Sequence, residues 1–352
     1  MILSINKPPS SICLIRLSAI GDVCHVVPVI YSIRKFWPET KITWVIGKTE
    51  YGLMKGLEGV EFIILDKSKG FKSYYQINKD LKNRSFDILL NMHPTLRANL
   101  VSLFVRSKHK IGFDKARSKD FHYLFCNYHI PARKRQHVVD GFFEFPKAMG
   151  VNDVAPFWNM PLSKKNNKFV DKYIDSSGLN VILSPCTGQK AFNYRNWPVE
   201  RYAELIQFLS RNYKANIIIT GGKTDLELKS AKKIINLSTV DVTNLIGQTT
   251  LKELLALIKA SSFIVCSDSG PAHMATTVGV KVIGLYASSN PYRTGPYNCQ
   301  DLAINKYPEA VKNNLNKSIE DIRWGRRIRD PYAMNLISVN EVENKIREII
   351  KT

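Results

Sequence analysis

Three short segments combine residue types and spacings that could do chemistry. The first is Arg16-Leu-Ser-Ala-Ile-Gly-Asp22-Val-Cys-His25. Its small residues let backbone N–H groups approach a ligand at a helix N-terminus. Asp22 is placed either to cap that helix or to project as a general base, and His25 is a core or cap histidine. The second is Ser184-Pro-Cys-Thr187-Gly188-Gln189-Lys190, followed by Tyr194-Arg195-Asn-Trp197-Pro198. Thr187 and Gly188 end an apolar run and could offer N–H and hydroxyl donors to a phosphate. Arg195 stands just ahead of a helix start, either as a cation beside that phosphate or as a solvated surface group. The third segment is the sharpest: Val265-Cys-Ser-Asp268-Ser269-Gly270-Pro271-Ala272-His273-Met-Ala275. Here an apolar run enters Asp-Ser-Gly and then a helix carrying His273. Donors from Ser269 and Gly270 make an anion site strengthened by the helix dipole. Asp268 fixes the loop, contacts a substrate hydroxyl, or caps the helix.

All three segments ask for one scaffold, the turn from a parallel strand into a helix, because open parallel sheets bind ligands beyond the carboxyl ends of their strands. The sequence supplies it. Apolar runs at Ser11–Arg16, Lys41–Ile46, Glu61–Leu65, Phe86–Leu90 and, more briefly, Lys110–Phe113 predict strands with helical stretches between them. The first helix reaches about Phe36. A polar stretch with Pro156, Pro161 and Ser163-Lys-Lys-Asn-Asn-Lys168 reads as a domain boundary. A second series follows, with strands at Asn180–Ser184, Ala215–Thr220, Ser262–Cys266 and Lys281–Leu285. Helices are predicted over Val199–Arg211, Leu251–Ala260 and about Ser338–Ile350. Strands alternating with helices imply α/β units with parallel sheets covered on both faces. The expected architecture is two Rossmann-like parallel-sheet domains facing a central cleft. The first spans residues 1–160 and the second 161–335, and a closing helix over 336–352 is expected to pack back on the N-terminal domain.

Composition narrows the function classes. The chain has 352 residues, of which 44% are hydrophobic and 23% charged, so a disordered or fibrous protein is excluded. No apolar run approaches the roughly 18 residues that span a bilayer, and the opening residues lack the pattern of a signal peptide. Six cysteines show no C-x-x-C spacing and sit mostly in apolar runs, which reads as buried thiols in a reducing cytosol. The formal net charge of +21 calls for a polyanionic partner. Residues 1–150 hold 24 basic and 12 acidic side chains and the rest 27 and 18, so the first half is the more basic per residue. A P-loop, a G-x-G-x-x-G after the first strand, an Asp-x-Asp pair and metal-ligand spacings are all missing from the sequence. A P-loop nucleotidase, an ordinary NAD enzyme and a metal-bridged pyrophosphate are therefore not indicated.

Taken together, Leu-Ser-Ala-Ile-Gly-Asp-Val at 17–23, Arg-Asn-Trp-Pro at 195–198 and Asp-Ser-Gly-Pro-Ala-His at 268–273 resemble the heptosyltransferases of glycosyltransferase family nine. The segment Asn290-Pro-Tyr-Arg-Thr-Gly-Pro296 resembles part of the same family, and the motifs cover nearly the whole chain in the right order. The resemblance implies the GT-B fold and an inverting transfer of heptose from ADP-heptose to Kdo of Kdo-lipid A in lipopolysaccharide inner-core assembly. It makes Asp22 the catalytic base. Thr187, Gly188 and Arg195 match the donor-phosphate region, with arginine where the family often has lysine, which keeps the charge and changes its geometry. Asp268, Ser269, Gly270 and His273 match the donor-binding loop. Asp225 is a candidate for the nucleotide ribose, with Glu227 as its rival. ADP-heptose is the donor substrate; no metal and no further cofactor are expected.

The acceptor is then an anionic lipid, which explains the basic first half. Arg97, Arg106, Lys108, Lys110, Lys115, Arg117 and Lys119 are expected to attract its carboxylate and phosphate groups, and Arg133-Lys-Arg135 with His137 forms a second cluster. Among these, Arg97, Arg106, Arg117, Lys119 and His137 are the candidate acceptor-binding residues, although for any one of them a solvated face is the more ordinary place. The implied location is the cytoplasm, peripherally on the cytoplasmic face of the inner membrane. Two rivals stand beside this reading. One is a nucleotide-sugar epimerase of similar fold; the other is a non-catalytic polyanion-binding protein. Nucleic acid is not expected as a partner, because no recognised module is visible and the cations do not follow an aromatic-rich strand surface.

Overall fold

The computed structural model describes residues 7–152, 155–187 and 194–351. The chain divides into two compact units between Pro161 and Leu162. The first unit alternates strands and helices: β1 (Ser11–Ile15), α1 (Ile20–Phe36), β2 (Lys41–Gly47), α2 (Lys48–Met54), β3 (Val60–Leu65), α3 (Phe71–Leu81), β4 (Ser85–Asn91), α4 (Leu96–Leu103), β5 (Arg106–Gly112), β6 (Tyr128–His129) and α5 (Val138–Ala148). Its central strands carry the apolar runs Ile12–Ile15 in β1 and Ile88–Leu90 in β4 because helices cover both faces. One face packs Cys13, Ile15, Val45, Ile63 and Leu89 against Ile77 of α3 and Val101 of α4. On the other face α1 packs along α5.

The second unit repeats the scheme. It holds α6 (Lys164–Val170), β7 (Asn180–Ser184), α7 (Val199–Tyr213), β8 (Asn216–Ile219), α8 (Asp225–Ser238), β9 (Thr243–Asn244), α9 (Leu251–Ala260), β10 (Phe263–Ser267), α10 (Gly270–Thr277) and β11 (Lys281–Tyr286). It continues with α11 (Pro291–Thr294), β12 (Ile304–Asn305), α12 (Tyr307–Leu315) and α13 (Val339–Lys351). Trp197 and Tyr202 pack with Leu183, Phe263 and Val265 in its core. The Trp197 indole N–H donates to the Ile337 carbonyl at 2.9 Å, tying the start of α7 to the approach of α13.

Among the described residues each unit carries a six-stranded, wholly parallel sheet. The orders are β3-β2-β1-β4-β5-β6 and β12-β11-β10-β7-β8-β9. Counted from β7, the second order is the first one again, and both follow the doubly wound nucleotide-binding pattern. The direction of winding reverses between β1 and β4 in one sheet and between β7 and β10 in the other. The segment that follows β1, the segment that follows β7 and the segment that follows β10 are the three chemistry-bearing segments of the sequence.

The closing helix buries Val342 and Ile346 in the core of the second unit, against α7 and β11. Its apolar residues Val339, Val342, Ile346 and Ile349 recur three or four apart, which gives one narrow stripe. Strand β5 begins at Arg106, not Lys110. Its polar first half hides the strand from an apolar-run reading, because only Ile111 and Gly112 at its end are buried.

Shortening Ile346 to alanine tests the placement of α13. The cavity is expected to cost about 2–5 kcal/mol. Hydrogen exchange should then accelerate at the amides of α7 and β11 while those of β1 and β4 keep their protection; faster exchange confined to the first unit would contradict the packing.

Candidate active site

The first switch point is built around Arg16, the residue after β1. Its side chain is nine-tenths buried and lies over the Phe142 ring, 5.3 Å from the centroid. Nη1 donates to the Met92 carbonyl at 2.7 Å, and Nη2 forms an ion pair with Asp22 Oδ2. The Ala19 N–H donates to the same carboxylate oxygen at 3.2 Å. Asp22 therefore closes the first turn of α1 and at the same time keeps a side chain one-third exposed. The two roles the sequence left open coexist in one residue.

The turn is braced from both neighbouring strands. Leu17 N–H donates to His93 Nδ1 at 3.1 Å, and the Gly47 N–H donates to the Leu17 carbonyl at 3.0 Å. A side chain at Gly47 would collide with that carbonyl and with Glu50, which is why glycine ends β2. Burial first, and the Arg16 charge second, push the His93 pKa down to about 3, so the ring stays neutral and its Nδ1 remains an acceptor. Glu50, in the first turn of α2, is also buried, and burial raises its carboxyl above the usual range. His25 is a core residue of the contact between α1 and α5, its ring 6.0 Å from that of His137 and 6.4 Å from Phe142.

The basic candidates do not form a single acceptor-facing cluster. Arg97 is exposed in the first turn of α4, just beyond the carboxyl end of β4. Lys119 is exposed as well. Arg106 pairs in register with Ser85 at the opposite, amino end of the sheet, so it is displaced from the switch point. Arg117 is committed to its own loop: it forms an ion pair with Asp114, donates to the Pro131 carbonyl at 2.6 Å and covers the Phe113 ring. Lys110 donates to the Ser102 carbonyl at 3.0 Å. His137 is buried and caps α5, its Nδ1 accepting from the Val139 N–H at 3.1 Å. Arg106 thus lies away from the switch point, Arg117 and His137 are engaged within their own loop and helix start, and Arg97 and Lys119 are exposed.

The second switch point gathers cations on Asp268, the residue after β10, whose side chain is 6% exposed. Arg195 Nη1 donates to the Asp268 carbonyl at 2.5 Å and lies 3.4 Å from its Oδ2. Arg327 Nη2 is 3.9 Å from the same oxygen, and His273 Nε2 is 4.0 Å from Oδ1. Burial lowers the Arg195 pKa, and Asp268 opposes that shift. Ser269 is the N-cap of α10 and Gly270 its first residue, so the N–H groups of that turn lack intrahelical acceptors and carry the positive end of the helix dipole.

The remaining donor-side candidates divide. Thr187 is buried, and its N–H and hydroxyl donate to Asn196 Oδ1 at 2.8 and 3.1 Å, which fixes the end of this segment. Gly188 lies outside the described residues. Glu227 is consumed in the capping box of α8, accepting from Gly222 N–H at 2.7 Å and from the Thr224 hydroxyl at 2.6 Å. Asp225 is exposed in the same first turn, which makes it the available carboxylate of the two.

Sequence reasoning did not single out Arg16, Glu50, His93, Asn196 or Arg327 as site residues. Arg16 had a usable signal, since a cation placed directly after a buried strand has to find a partner. His93 follows β4 at the same edge. Arg327 gave none, because it reaches Asp268 only through the fold.

A carboxylate held by arginine stands at one switch point, and arginines gathered on a carboxylate beside a helix N-terminus stand at the other. The family model of glycosyltransferase family 9 (heptosyltransferase) matches residues 74–321. The chain belongs to this family. As a family 9 glycosyltransferase it is 38% identical over 344 residues to the lipopolysaccharide core heptosyltransferase OpsX of Haemophilus influenzae, with 98% of each chain covered. Its fold is similar to that of a family 9 glycosyl transferase from Veillonella parvula, with TM-score 0.80 at 20% identity over 97% of this chain and 98% of that one. It is also similar to Escherichia coli heptosyltransferase WaaC with ADP, with TM-score 0.73 at 17% identity over 96% and 99%. The fold is GT-B, two Rossmann-like α/β domains. Among the described residues of this heptosyltransferase no helix is long and apolar enough to cross a membrane.

The buried histidines make stability depend on pH. Unfolded, a histidine takes up its proton near pH 6.5. Folded, His93 does so only near 3 and His122, also held down by burial, only near 4. The unfolded chain binds more protons in that window, so stability is complete above about pH 6.5 and is lost as pH falls. At pH 5 each group removes about 2 kcal/mol. Urea midpoints should fall between pH 7.5 and 5, and His93→Gln should flatten the slope; an unchanged slope in that variant would contradict the assignment.

Proposed function

We propose that this heptosyltransferase transfers heptose, with inversion, from ADP-heptose to Kdo of Kdo-lipid A in lipopolysaccharide inner-core assembly. The carrying observation is the pair of switch points: the part-exposed Asp22 carboxylate on Arg16 in the first unit, and Arg195 on Asp268 beside the start of α10 in the second. In this reading the first unit takes the acceptor and the second the donor. Asp22 accepts the proton of the acceptor hydroxyl as its oxygen attacks the anomeric carbon, opposite the leaving ADP. Arg195, Arg327 and the first-turn N–H groups of α10 offset the charge that grows on the diphosphate, the electrostatic part of catalysis. Asp268 orients those cations, and Asp225 is the carboxylate available for the nucleotide ribose. No metal is needed when fixed cations and N–H groups carry that charge.

Support for the donor comes from the named binding of ADP by the E. coli relative, and support for the lipopolysaccharide core comes from the name of the H. influenzae relative. Arg97 and Lys119, exposed in the more basic half, suit an anionic acceptor. Such an acceptor puts the enzyme in the cytoplasm, working peripherally at the cytoplasmic face of the inner membrane.

The test is transfer assayed with ADP-heptose and Kdo-lipid A, with ADP affinity measured separately by calorimetry. Asp22→Asn keeps shape and removes basicity, so turnover should fall by roughly 10²–10⁴-fold while ADP affinity stays within a few-fold. Arg195→Ala should weaken ADP binding by about ten- to a hundred-fold, the worth of a charge-assisted contact. Near-normal turnover of Asp22→Asn would remove Asp22 from the base role. Failure of the wild type to use a Kdo acceptor would overturn the substrate assignment.

A further inference from the structure

Helix α4 turns an apolar face to solvent. Leu96, Leu100 and Leu103 are spaced i, i+4 and i+7, so they share one stripe, and they are 52%, 39% and 61% exposed. The opposite face buries Ala98, Asn99, Val101 and Ser102. A one-turn helix at His122–Phe125 lies beside α4 and is fastened to it. Leu96 N–H donates to Asp120 Oδ2 at 3.1 Å, the Asn99 amide donates to the Asp120 carbonyl at 2.8 Å, and His122 Nδ1 is 2.8 Å from Asn99 Oδ1. From this fastened segment Phe121 and Leu124 stand 77% and 78% exposed. Single exposed leucines are ordinary; five large apolar side chains on two interlocked elements mark a surface that is covered in use.

The rim of that surface is cationic. Arg97 stands at one end of α4, Arg106 and Lys108 follow directly after the other, and Lys119 precedes Phe121; all four are exposed. A second copy of this chain, at net charge +21, would bring like charge against like charge there. An anionic bilayer satisfies both features at once: apolar side chains enter the boundary between headgroups and acyl chains while Lys and Arg stay at the phosphate level. We infer that the α4 face, with Phe121 and Leu124, docks the enzyme on an anionic lipid surface. The inference rests on the proposed lipid-linked acceptor and names the surface by which the enzyme reaches it.

The test uses the full chain with vesicles of phosphatidylcholine alone or mixed with phosphatidylglycerol, and a Leu100→Ser/Leu103→Ser/Leu124→Ser variant. The wild type should sediment with phosphatidylglycerol vesicles, less so as salt rises, and little with phosphatidylcholine alone. The variant should lose about ten-fold or more of that partitioning. It should also lose rate on acceptor presented in vesicles, yet keep its turnover on a water-soluble, deacylated acceptor, which shows that it is folded. Equal vesicle binding by variant and wild type would overturn the docking face, as would binding indifferent to phosphatidylglycerol and salt. A wild-type dimer in analytical ultracentrifugation that the variant converts to monomer would reassign the face to self-association. Absence of wild-type transfer to the soluble acceptor would instead strike the functional reading and leave the vesicle result standing.

Discussion

A buried guanidinium has to be met by oxygen, and the site grows from that requirement at the end of β1. Arg16 meets it with the Met92 carbonyl and the Asp22 carboxylate. Satisfying the arginine fixes the carboxylate that opens α1, orders the turn between them, and ties that turn to the loop after β4. His93 can brace Leu17 only while it is neutral, and the same burial and charge that hold Arg16 in place keep it so. The second sheet solves the same problem with the roles exchanged. Its carboxylate, Asp268, is the more deeply buried partner, at 6% against 18% for the Arg195 side chain. In the first unit the arginine serves an available carboxylate; in the second the carboxylate serves arginines.

The two sheets share one strand order, and this explains why three distant segments carry the chemistry. Winding reverses beside β1 in one sheet and beside β7 and β10 in the other, and such reversals are where open parallel sheets bind ligands. The net charge is spent in two ways. Arg16, Arg117 and Lys110 are consumed by carboxylates and carbonyls inside the first unit. Arg97, Arg106, Lys108 and Lys119 stay in water around an apolar face, where their attraction is long-range and screened by salt.

Much of this was legible in the sequence, for physical reasons. Runs such as Val181–Leu183 and Ile12–Ile15 are apolar throughout because a central parallel strand is buried on both faces, and strand-to-helix turns rich in small residues announced themselves directly. Strand β5 was cut short because its first half alternates cations and polar residues near the sheet edge. The two-residue strands β6, β9 and β12 are too short for any periodicity. The commitment of Arg117 to Asp114 and of His137 to the start of α5 depends on local geometry, and charge alone could not separate them from the exposed Arg97 and Lys119. Arg327 reaches Asp268 from 59 residues away in sequence, a partnership that only the tertiary fold creates.

The central claim is that Arg16 acts on chemistry by positioning Asp22. Single-turnover transfer by Arg16→Gln, at saturating donor, tests it most directly, because glutamine keeps a polar side chain at this position but carries no charge for Asp22. The account predicts a rate lower by about ten-fold or more with ADP affinity unchanged within about two-fold. A single-turnover rate equal to that of the wild type would contradict it.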